Sequence, residues 1–507
     1  MKKGQGSLVF PDDFSGFSVT VRELTGPNLG GFNNGAAGVL MRAAAASNAT
    51  AHVYGFVAAD ANGVPKFNGR GQGYFTTGFS SVGSEGGGQA PSKGLYMHGG
   101  SYFAKMVSAT AWGVGNADEK LLDVLSIGAG MGFLTMDTPN NGNGQPINAV
   151  TAKTLAQADK GTFFFYDPSV NNNAATSVTN NMFTIRDWAT HAVGGSGYGE
   201  AGVEGATNTF KIVPWFVAVG DSNYHDLIFS GVDSNGRLVR PVRTCTYIDE
   251  AGSEDANVIC YVYNKIGYGS LTHGTATDIV INSLFLNNST TGDKWLGADR
   301  TLTIKSGGLI FQGNGSAIGL PGRDDNGSLV LGDADHPAYV WNKAFGNYTN
   351  QIWAAVTAPG GFVSTYTGNL ELGGNQTGIG DEIVVAAGCL ALGNAQYGIT
   401  LAANLPVRVC AGATLKLVHA HALDNNPLKL DGSAGAFGKV ELSDSRRCAS
   451  LAVRDVFEST EWTTLPEGTY GSSDSGAEFV RDDLFTGTGI LRVGTAPAVR
   501  GVRFLVY

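Results

Sequence analysis

A short alternation of apolar and variable residues recurs along the chain. It consists of an apolar residue, a variable residue and a second apolar residue, often with glycine two positions before the first. Five copies fit Gly-x-(Leu/Ile)-x-(Leu/Val/Phe), at residues 6–10, 327–331, 368–372, 388–392 and 489–493. Looser copies lie at residues 302–304, 309–311, 415–417, 428–430 and 440–442. Because side chains at i and i+2 of a strand point to one face, the pattern predicts strands with one buried and one solvated face.

The spacing of these copies favours a particular all-β architecture. Leu370 and Leu390 are 20 residues apart, and Leu390 and Leu415 are 25 apart. One such strand per coil, with further short strands between, is typical of a solenoid whose coils stack in parallel. A β-sandwich is the main alternative, and its turns would come every 8 to 12 residues or so. The sequence therefore predicts an all-β parallel β-helix with loop insertions and few short helices.

The density of the repeats divides the chain near residue 295. Residues 296–507 carry the dense copies and are predicted to form regular β-helix repeats with a C-terminal cap. Residues 1–295 have fewer copies and long polar connections, which predict either β-helix coils with long insertions or a separate β-rich domain. The two candidate helices are short, at residues 38–47 and 152–160.

Composition supports a folded protein that turns often. Glycine, with 74 residues, is about twice as frequent as the roughly 7% of an average protein, yet it lacks the three-residue period of collagen. The apolar fraction of 43% is too high for a disordered chain. Glycine supplies the positive-φ positions that tight turns need, so many short strands are expected.

Charge and hydropathy exclude two classes of partner. The net charge is −10 and no Lys/Arg cluster exceeds two or three residues, so a nucleic-acid partner is not expected. No stretch approaches 18 apolar residues, so no membrane span is expected. Residues 1–10 lack the apolar core of a signal peptide and read like the middle of a repeat. We therefore expect an exported chain whose signal lay upstream of Met1.

The five cysteines form no Cys-x-x-Cys pair, which argues against a zinc site. Cys245 and Cys260 flank a turn-rich segment, where they would either bridge a hairpin or remain two buried thiols. The odd count leaves at least one thiol free or available to another chain.

The repeats resemble the autotransporter-associated β-strand repeat of large surface proteins from Verrucomicrobia-like bacteria. Residues 3–10 match its start, residues 302–311 and 368–374 are similar to it, and residues 465–493 look like the ending of such proteins. The resemblance implies a right-handed β-helix, export, a passenger or stalk role and no catalytic residues. No alternating strands of an outer-membrane barrel follow in the sequence, so self-export is not expected.

Candidate catalytic carboxylates do not form an evident pair. A polysaccharide lyase or glycosidase would need carboxylates that converge on one face. The candidates are Asp118, Glu119, Asp167, Asp187, Asp221 and Asp226. None of them recurs at coil spacing with a partner, so they are interpreted as turn and cap residues.

Candidate metal and sugar sites are similarly weak. His225 and Asp226 are adjacent, so on a strand they would point to opposite faces, whereas His419 and His421 would share a face. The segment from Asp333 to His336 has metal-binding residue types but favours a turn. Five tryptophans would line either a sugar-binding surface or the core: Trp188, Trp215, Trp341, Trp353 and Trp462.

These observations predict a non-catalytic extracellular structural or adhesive surface protein, a stiff β-helical stalk. No catalytic, cofactor-binding or metal-binding residue is assigned, and no cofactor is expected. The expected partners are further copies of the chain, end to end or side by side, or a cell-surface or polysaccharide partner. Residues 3–10 are the expected sticky edge. A polysaccharide-degrading β-helix enzyme and a carbohydrate-binding module are the alternatives.

Overall fold

A computed structural model describes residues 7–9, 18–22, 38–40, 50–57, 78–80, 94–105, 121–137, 150–166, 183–195, 209–219, 227–229, 231–232, 238–239, 244–245, 254–261, 277–288, 296–313, 315–344, 348–433 and 435–494. These residues are nearly all-β, and most of their sheets are parallel. Within them, no helix combines the length and the apolar character needed to cross a membrane.

The strands of the first half are β1 (Ser7–Val9), β2 (Ser18–Arg22), β3 (Gly38–Leu40), β4 (Thr50–Tyr54), β5 (Gly78–Ser80), β6 (Gly94–His98), β7 (Gly100–Lys105), β8 (Leu121–Ile127), β9 (Met131–Asp137), β10 (Val150–Gln157), β11 (Thr162–Tyr166), β12 (Phe183–Ile185), β13 (Phe216–Val219), β14 (Leu227–Phe229), β15 (Gly231–Val232), β16 (Leu238–Val239), β17 (Thr244–Cys245) and β18 (Asn257–Tyr261). A four-residue helix, α1 (Trp188–His191), lies between β12 and β13.

The strands of the second half are β19 (Asp278–Asn288), β20 (Thr301–Gly313), β21 (Ala317–Ile318), β22 (Ser328–Leu331), β23 (Ala338–Lys343), β24 (Thr349–Ile352), β25 (Ala355–Ala358), β26 (Phe362–Thr365), β27 (Asn369–Leu372), β28 (Gly374–Gln376), β29 (Gly378–Ile379), β30 (Ile383–Val385), β31 (Cys389–Leu392), β32 (Ile399–Leu401), β33 (Val407–Val409), β34 (Thr414–Leu417), β35 (Pro427–Ser433), β36 (Ala436–Phe437), β37 (Lys439–Glu441), β38 (Arg446–Cys448), β39 (Ser450–Asp455), β40 (Thr463–Thr464), β41 (Gly468–Gly471), β42 (Phe479–Val480), β43 (Phe485–Thr486) and β44 (Leu491–Val493).

Two six-stranded sheets form what we call the first stack. One has the order β12-β10-β8-β6-β4-β2 and the other β14-β13-β11-β9-β7-β5, and all pairs are parallel except β13 with β14. Leu95, Leu125 and Leu155 are register neighbours on β6, β8 and β10, and all three are buried. Alternate side chains along these strands therefore fill one core between the sheets.

Two further sheets form the second stack. The central sheet has 15 strands, with the main order β17-β18-β19-β20-β23-β26-β30-β33-β35-β39-β40, and it includes strands on both sides of residue 295. The flanking sheet has the order β21-β24-β27-β31-β34-β37-β43. Strands of the main path of the central sheet and strands of the flanking sheet take turns along the chain: β23 and β24, β26 and β27, β30 and β31, then β33 and β34. The short strands β25, β28, β29 and β32 lie between them. This alternation follows the spacing of the sequence repeats.

The repeated apolar residues occupy the interior of the second stack, as the sequence pattern predicts. Leu370, Leu390, Leu415 and Val440 are successive register partners on four parallel strands, and each is fully buried. Burial of one such side chain contributes roughly 1.5 to 3 kcal/mol. The column therefore stabilises both the strands and their register.

The glycine before a repeat strand allows a sharp turn of the backbone close to a neighbouring segment. Gly388 precedes β31 with φ +71°, and a Cβ added there would lie 2.2 Å from the carbonyl oxygen of Tyr366, which directly follows β26. Only glycine permits both the positive φ and this close approach.

Both predicted helices are wrong where they can be compared. Residues 152–157 belong to strand β10 and residues 158–160 to the following turn, because Leu155 is paired with Leu125 in a parallel sheet. Residues 38–40 form strand β3, and residues 41–47 lie outside the described residues. Sheet pairing overrides the helix propensity of these alanine-containing segments.

The cysteine pair does not flank a hairpin. Cys245 on β17 and Cys260 on β18 are register neighbours, but the two strands are parallel, which corrects the hairpin prediction. Their side chains lie outside the described part of the structure. Cys389, Cys410 and Cys448 are free thiols.

The two stacks lie side by side, and the central sheet separates two cores. Along β23, Val340 faces the core of the second stack, whereas Tyr339 and Trp341 face the core of the first stack. We call the contact between the first stack and this face of the central sheet the seam.

The stacks run in opposite directions along the seam. A hydrogen bond joins each of these pairs: Gly55 with Ser433, Asp159 with Arg408, Thr162 with Thr365, Pro214 with Trp341, and Leu227 with Gln312. Over these five pairs the second residue number falls as the first rises; Gln157, which contacts Tyr339, departs from this order. The chain therefore ascends through one stack and returns through the other.

Candidate functional site at the seam

A tight turn of the first stack presents charge to the seam. Between β10 and β11, Asp159 and Lys160 adopt positive φ values of 50° and 52°. Gly161 follows, and a Cβ added there would lie 1.7 Å from the carbonyl oxygen of Gly128 in the preceding turn. The close stacking of these turns fixes where the Asp159 and Lys160 side chains project.

Three charged residues of the central sheet lie against this turn. Asp431 on β35 is hydrogen-bonded through one carboxylate oxygen to Arg408 Nη1 at 3.2 Å and through the other to Arg454 Nε at 2.7 Å. The side chains of Asp431, Arg408 and Arg454 are only 2%, 4% and 8% exposed. They are outward-facing residues of the second stack that the first stack covers.

The turn and the central sheet are joined by further ion pairs. Arg408 donates to both oxygens of Glu382, at 3.1 and 2.9 Å, and to the backbone carbonyl oxygen of Asp159 at 2.8 Å. Lys160 pairs with Asp381 and lies 3.5 Å from Glu382. Arg454 Nη2 lies 3.5 Å from the Asp159 carboxylate. We call these seven residues the seam ion cluster: Asp159, Lys160, Asp381, Glu382, Arg408, Asp431 and Arg454.

Neutral hydrogen bonds extend the seam on the side of β23 and β26. Gln157 Nε2 donates to the hydroxyl of Tyr339 at 2.8 Å, and burial raises the pKa of Tyr339. The hydroxyls of Thr162 and Thr365 are hydrogen-bonded at 2.7 Å. Burial also raises the pKa of Cys410, beside Asp431, to about 12, so this thiol is not a reactive thiolate.

A group of four aromatic rings lies near the seam ion cluster. His52 and Tyr54 on β4 stack on Tyr96 and His98 on β6, with centroid distances of 4.8 Å for His52 with Tyr96 and 4.6 Å for Tyr54 with His98. Burial lowers the pKa of His98 to about 4, helped by the charge of His52 and opposed by that of Asp159. We call these four residues the ring group.

The centre of the seam ion cluster is a buried electrostatic contact, whereas the carboxylates of Asp159 and Asp381 at its edge are 47% and 63% exposed. Asp431 is held between two arginines, Glu382 by Arg408 and Lys160, and Asp381 by Lys160. Glycoside hydrolysis uses one carboxylic acid and one free carboxylate on either side of the scissile bond. Carboxylates held by arginines instead suit a structural contact, because removal of one partner would leave a buried charge unpaired.

Only one of the proposed acidic candidates falls in the described residues. Asp187 accepts hydrogen bonds from the backbone N–H of Leu155 at 2.9 and 3.1 Å and lies 3.3 Å from His191 Nε2. It therefore joins α1 to β10. Asp118, Glu119, Asp167, Asp221, His225 and Asp226 lie outside the described residues.

The two proposed metal-binding segments both form turns. His419 and His421 follow β34 in a turn, so the strand geometry expected for them is wrong, and His421 pairs with Asp424 at 2.6 Å. The Asp333 carboxylate accepts the backbone N–H groups of Asp335 and His336, as expected for a turn. Across the described ranges, no three His, Cys, Asp or Glu residues are placed to hold a metal ion.

Most of the tryptophans are packing residues. Trp188, Trp215, Trp341 and Trp353 are at most 5% exposed. Trp462 is partly exposed and lies under the guanidinium of Arg454, 4.5 Å from its ring centroid. Of the two readings open from the sequence, a sugar-binding surface or the core, these four rings follow the core reading.

Sequence reasoning missed the seam ion cluster, although a signal was present. Asp431 is 23 residues from Arg408 and 23 from Arg454, and Arg408 is 26 from Glu382. Charges of alternating sign thus recur at about the spacing of the sequence repeats. Such charges on neighbouring parallel strands stand side by side.

Comparison of the chain with protein-family models, curated proteins and solved structures finds no significant match. The resemblance to the autotransporter-associated repeat remains a prediction from the residues that carry it.

Proposed function

We propose that the chain is a non-catalytic structural and adhesive module of an extracellular surface. In this proposal the strands wind as right-handed parallel β-helices, one ascending and one returning. The alternation of strands between the central and flanking sheets supports winding, and connections between parallel strands are right-handed in about 98% of cases.

The observation that carries the proposal is the use of buried charge at the seam. The charged side chains that meet there pair across it, so that Arg408 touches residues of both stacks. Such pairing fixes how two β-stacks sit against each other, which is a structural task. Export and surface display rest on the repeat resemblance and on the sparsely charged, glycine-rich composition.

Self-association is the proposed route to a fibre. Strand β1 pairs with β3 in a two-stranded parallel sheet, and residues 3–10 contain β1. Strand edges are templates for another chain. Negative-stain imaging of the purified chain is expected to show filaments, and deletion of residues 2–10 is expected to abolish them. Filaments unchanged by the deletion would exclude this edge as the site of assembly.

Two measurements test the wider proposal. Antibodies against the chain should label intact producing cells, and labelling only after permeabilisation would contradict surface display. Incubation with pectin, alginate, xylan and cellulose should release no new reducing or unsaturated ends. Release that is lost in a Glu382→Gln variant would identify a polysaccharide-degrading enzyme and overturn the structural role.

A further inference from the structure

A polar and aromatic site lies on the outer face of the flanking sheet, away from the seam. Glu371 on β27 is the register neighbour of Gln351 on β24 and of Ala391 on β31. The inward neighbours Leu370 and Leu372 fill the core, so Glu371 points outwards. The site is built on parallel strands whose buried column holds them in place.

Three N–H donors converge on one oxygen of Glu371. The indole Nε1 of Trp353 lies 2.9 Å from Oε1, the Gln351 amide 3.1 Å and the Asn394 amide 3.4 Å. No hydrogen bond from a described residue reaches Oε2. A carboxylate accepts on both oxygens, so Oε2 retains acceptor capacity for a ligand.

Tyr397 supplies a fixed aromatic surface beside this carboxylate. It is 36% exposed and is one of three large hydrophobic residues that are exposed in the described part of the chain. Its ring meets Trp353 edge to face at 6.2 Å and 82°. A Cβ added to Gly322 would lie 2.5 Å from its Cζ atom, so the tip of the ring is closely packed.

The turn that carries Tyr397 is itself held in place. Asn394 Oδ1 accepts the backbone N–H groups of Gln396 and Tyr397 at 3.0 and 2.7 Å, and the Asn394 N–H donates to the Tyr397 carbonyl at 2.8 Å. The same Asn394 side chain reaches Glu371. One residue therefore couples the position of the ring to that of the carboxylate, and little ordering is needed on binding.

We infer that Glu371, Gln351 and Tyr397 form a binding site for a neutral pyranose of a polysaccharide. The Tyr397 ring packs against the apolar face of the sugar, and Glu371 Oε2 accepts a sugar hydroxyl. The amide of Gln351 supplies a further polar group. An acidic sugar is disfavoured, because its carboxylate would face that of Glu371 in a chain of net charge −10.

The size of the site favours a sugar over a protein. Stable protein interfaces bury on the order of 1,200 to 2,000 Å² around large anchoring side chains. Here one ring and one carboxylate are presented together, which matches a single sugar ring. The outer face continues past Ala391 to Lys416, so a linear glycan can lie along it.

The inference builds on the proposed adhesive role by naming its ligand class. The sugar site and the surface role can fail independently, because binding of free glycans by the purified chain requires neither export nor filament formation.

Calorimetric titration of the full chain with cellohexaose, xylohexaose, mannohexaose, laminarihexaose and hexagalacturonate tests the inference. At least one neutral hexaose should bind with a Kd of ~1 mM or tighter, and Tyr397→Ala should weaken it about 10-fold. Glu371→Gln should weaken it about 5-fold, through loss of a charge-assisted hydrogen bond. Tyr348→Ala is the matched control, because Tyr348 is 48% exposed directly before β24 and makes no contact named in the site, and it should leave the Kd within about 2-fold.

A second measurement needs no substitution at the site. The indole N–H resonance of Trp353, assigned with Trp353→Phe, should shift when the bound hexaose is titrated into the wild-type chain. Absence of binding by every neutral hexaose overturns the inference, as does binding by hexagalacturonate alone. Equal losses in the Tyr397→Ala and Tyr348→Ala variants, or a Trp353 resonance that does not move on binding, would also overturn it.

Discussion

Arg408 donates a hydrogen bond of 2.8 Å to the backbone carbonyl oxygen of Asp159, a residue 249 positions earlier in the chain. The same guanidinium holds Glu382 and Asp431 on its own side of the seam. This one side chain, on β33 of the second stack, therefore joins a turn of the first stack to β35 and to the residue before β30.

Loss of the central carboxylate of the seam ion cluster should be costly. Asp431→Asn leaves the buried Arg408 and Arg454 without their shared counter-charge, and we expect it to lower the free energy of unfolding by about 3 to 5 kcal/mol. Guanidinium denaturation measures the change. The control is Asp123→Asn, because Asp123 pairs with Lys153 at 2.6 Å but is 49% exposed, and it should cost under about 1 kcal/mol. Equal costs would contradict a stabilising seam.

Stability should fall with acid through His98. Its pKa is lowered from 6.5 to about 4, so between these values the unfolded chain binds a proton that the folded chain does not. The free energy of unfolding therefore falls as the pH drops from about 6.5 to 4, by roughly 2 to 3 kcal/mol from this group, and the effect is complete below pH 4.

The His98→Gln variant isolates this contribution. Denaturant midpoints measured from pH 7 to pH 4 should fall less steeply in the variant than in the wild type. His421→Gln serves as the control, because His421 is 72% exposed, and its profile should follow that of the wild type. A His98→Gln profile parallel to that of the wild type would exclude His98 as the source.

The stacking of the turns should not tolerate a side chain at Gly161. Gly161→Ala places a methyl group 1.7 Å from the Gly128 carbonyl oxygen, and we expect a loss of more than about 3 kcal/mol. Gly476→Ala is the comparison, because Gly476 has φ +70° but open space around it, and only the backbone cost of about 1 kcal/mol applies. Thermal melting should rank the two variants in this order, and the reverse order would refute the close approach.

The apolar column of the second stack should behave as a packed core. Leu390→Ala removes a fully buried side chain between Leu370 and Leu415, with an expected loss of about 2 to 5 kcal/mol. Lys416→Ala changes a partly exposed residue of the neighbouring strand and should alter stability by under about 0.5 kcal/mol. Chemical denaturation distinguishes the two, and similar values would mean that the register of the column is wrong.

Local sequence patterns predicted those strands of the second stack that carry a copy of the repeat, such as β27 and β31, but not the central-sheet strands β26 and β30. The positions of Leu370 and Leu390, and the glycine before each strand, are set by alternation and by turn geometry, which act within a few residues. The segment around Leu155 shows the limit of such patterns. Its composition suits a helix, but its pairing with Leu125, 30 residues earlier, decides for a strand.

The seam was beyond prediction from local pattern because its partners are distant in sequence. Arg408, Asp431 and Arg454 stand at outward positions, which the alternation marks as solvated. Their spacing of 23 residues shows that they are neighbours, but not that another stack covers them. Their charges are buried only because the second stack packs against the first stack. Likewise, the site at Glu371 depends on Asn394 and Tyr397 in a turn whose shape no repeat specifies.

Because the two stacks run in opposite directions, the contacts across the seam can form only in a certain order. During synthesis the earliest strands of the first stack, around β4 and β6, must wait for β35 and β39 before Tyr54 meets Phe457 and Gly55 meets Ser433. The latest strands of that stack wait least, because Leu227 needs only Gln312 of β20. What is made first is covered last, so the oldest part of the chain is exposed longest to proteases and to unwanted partners.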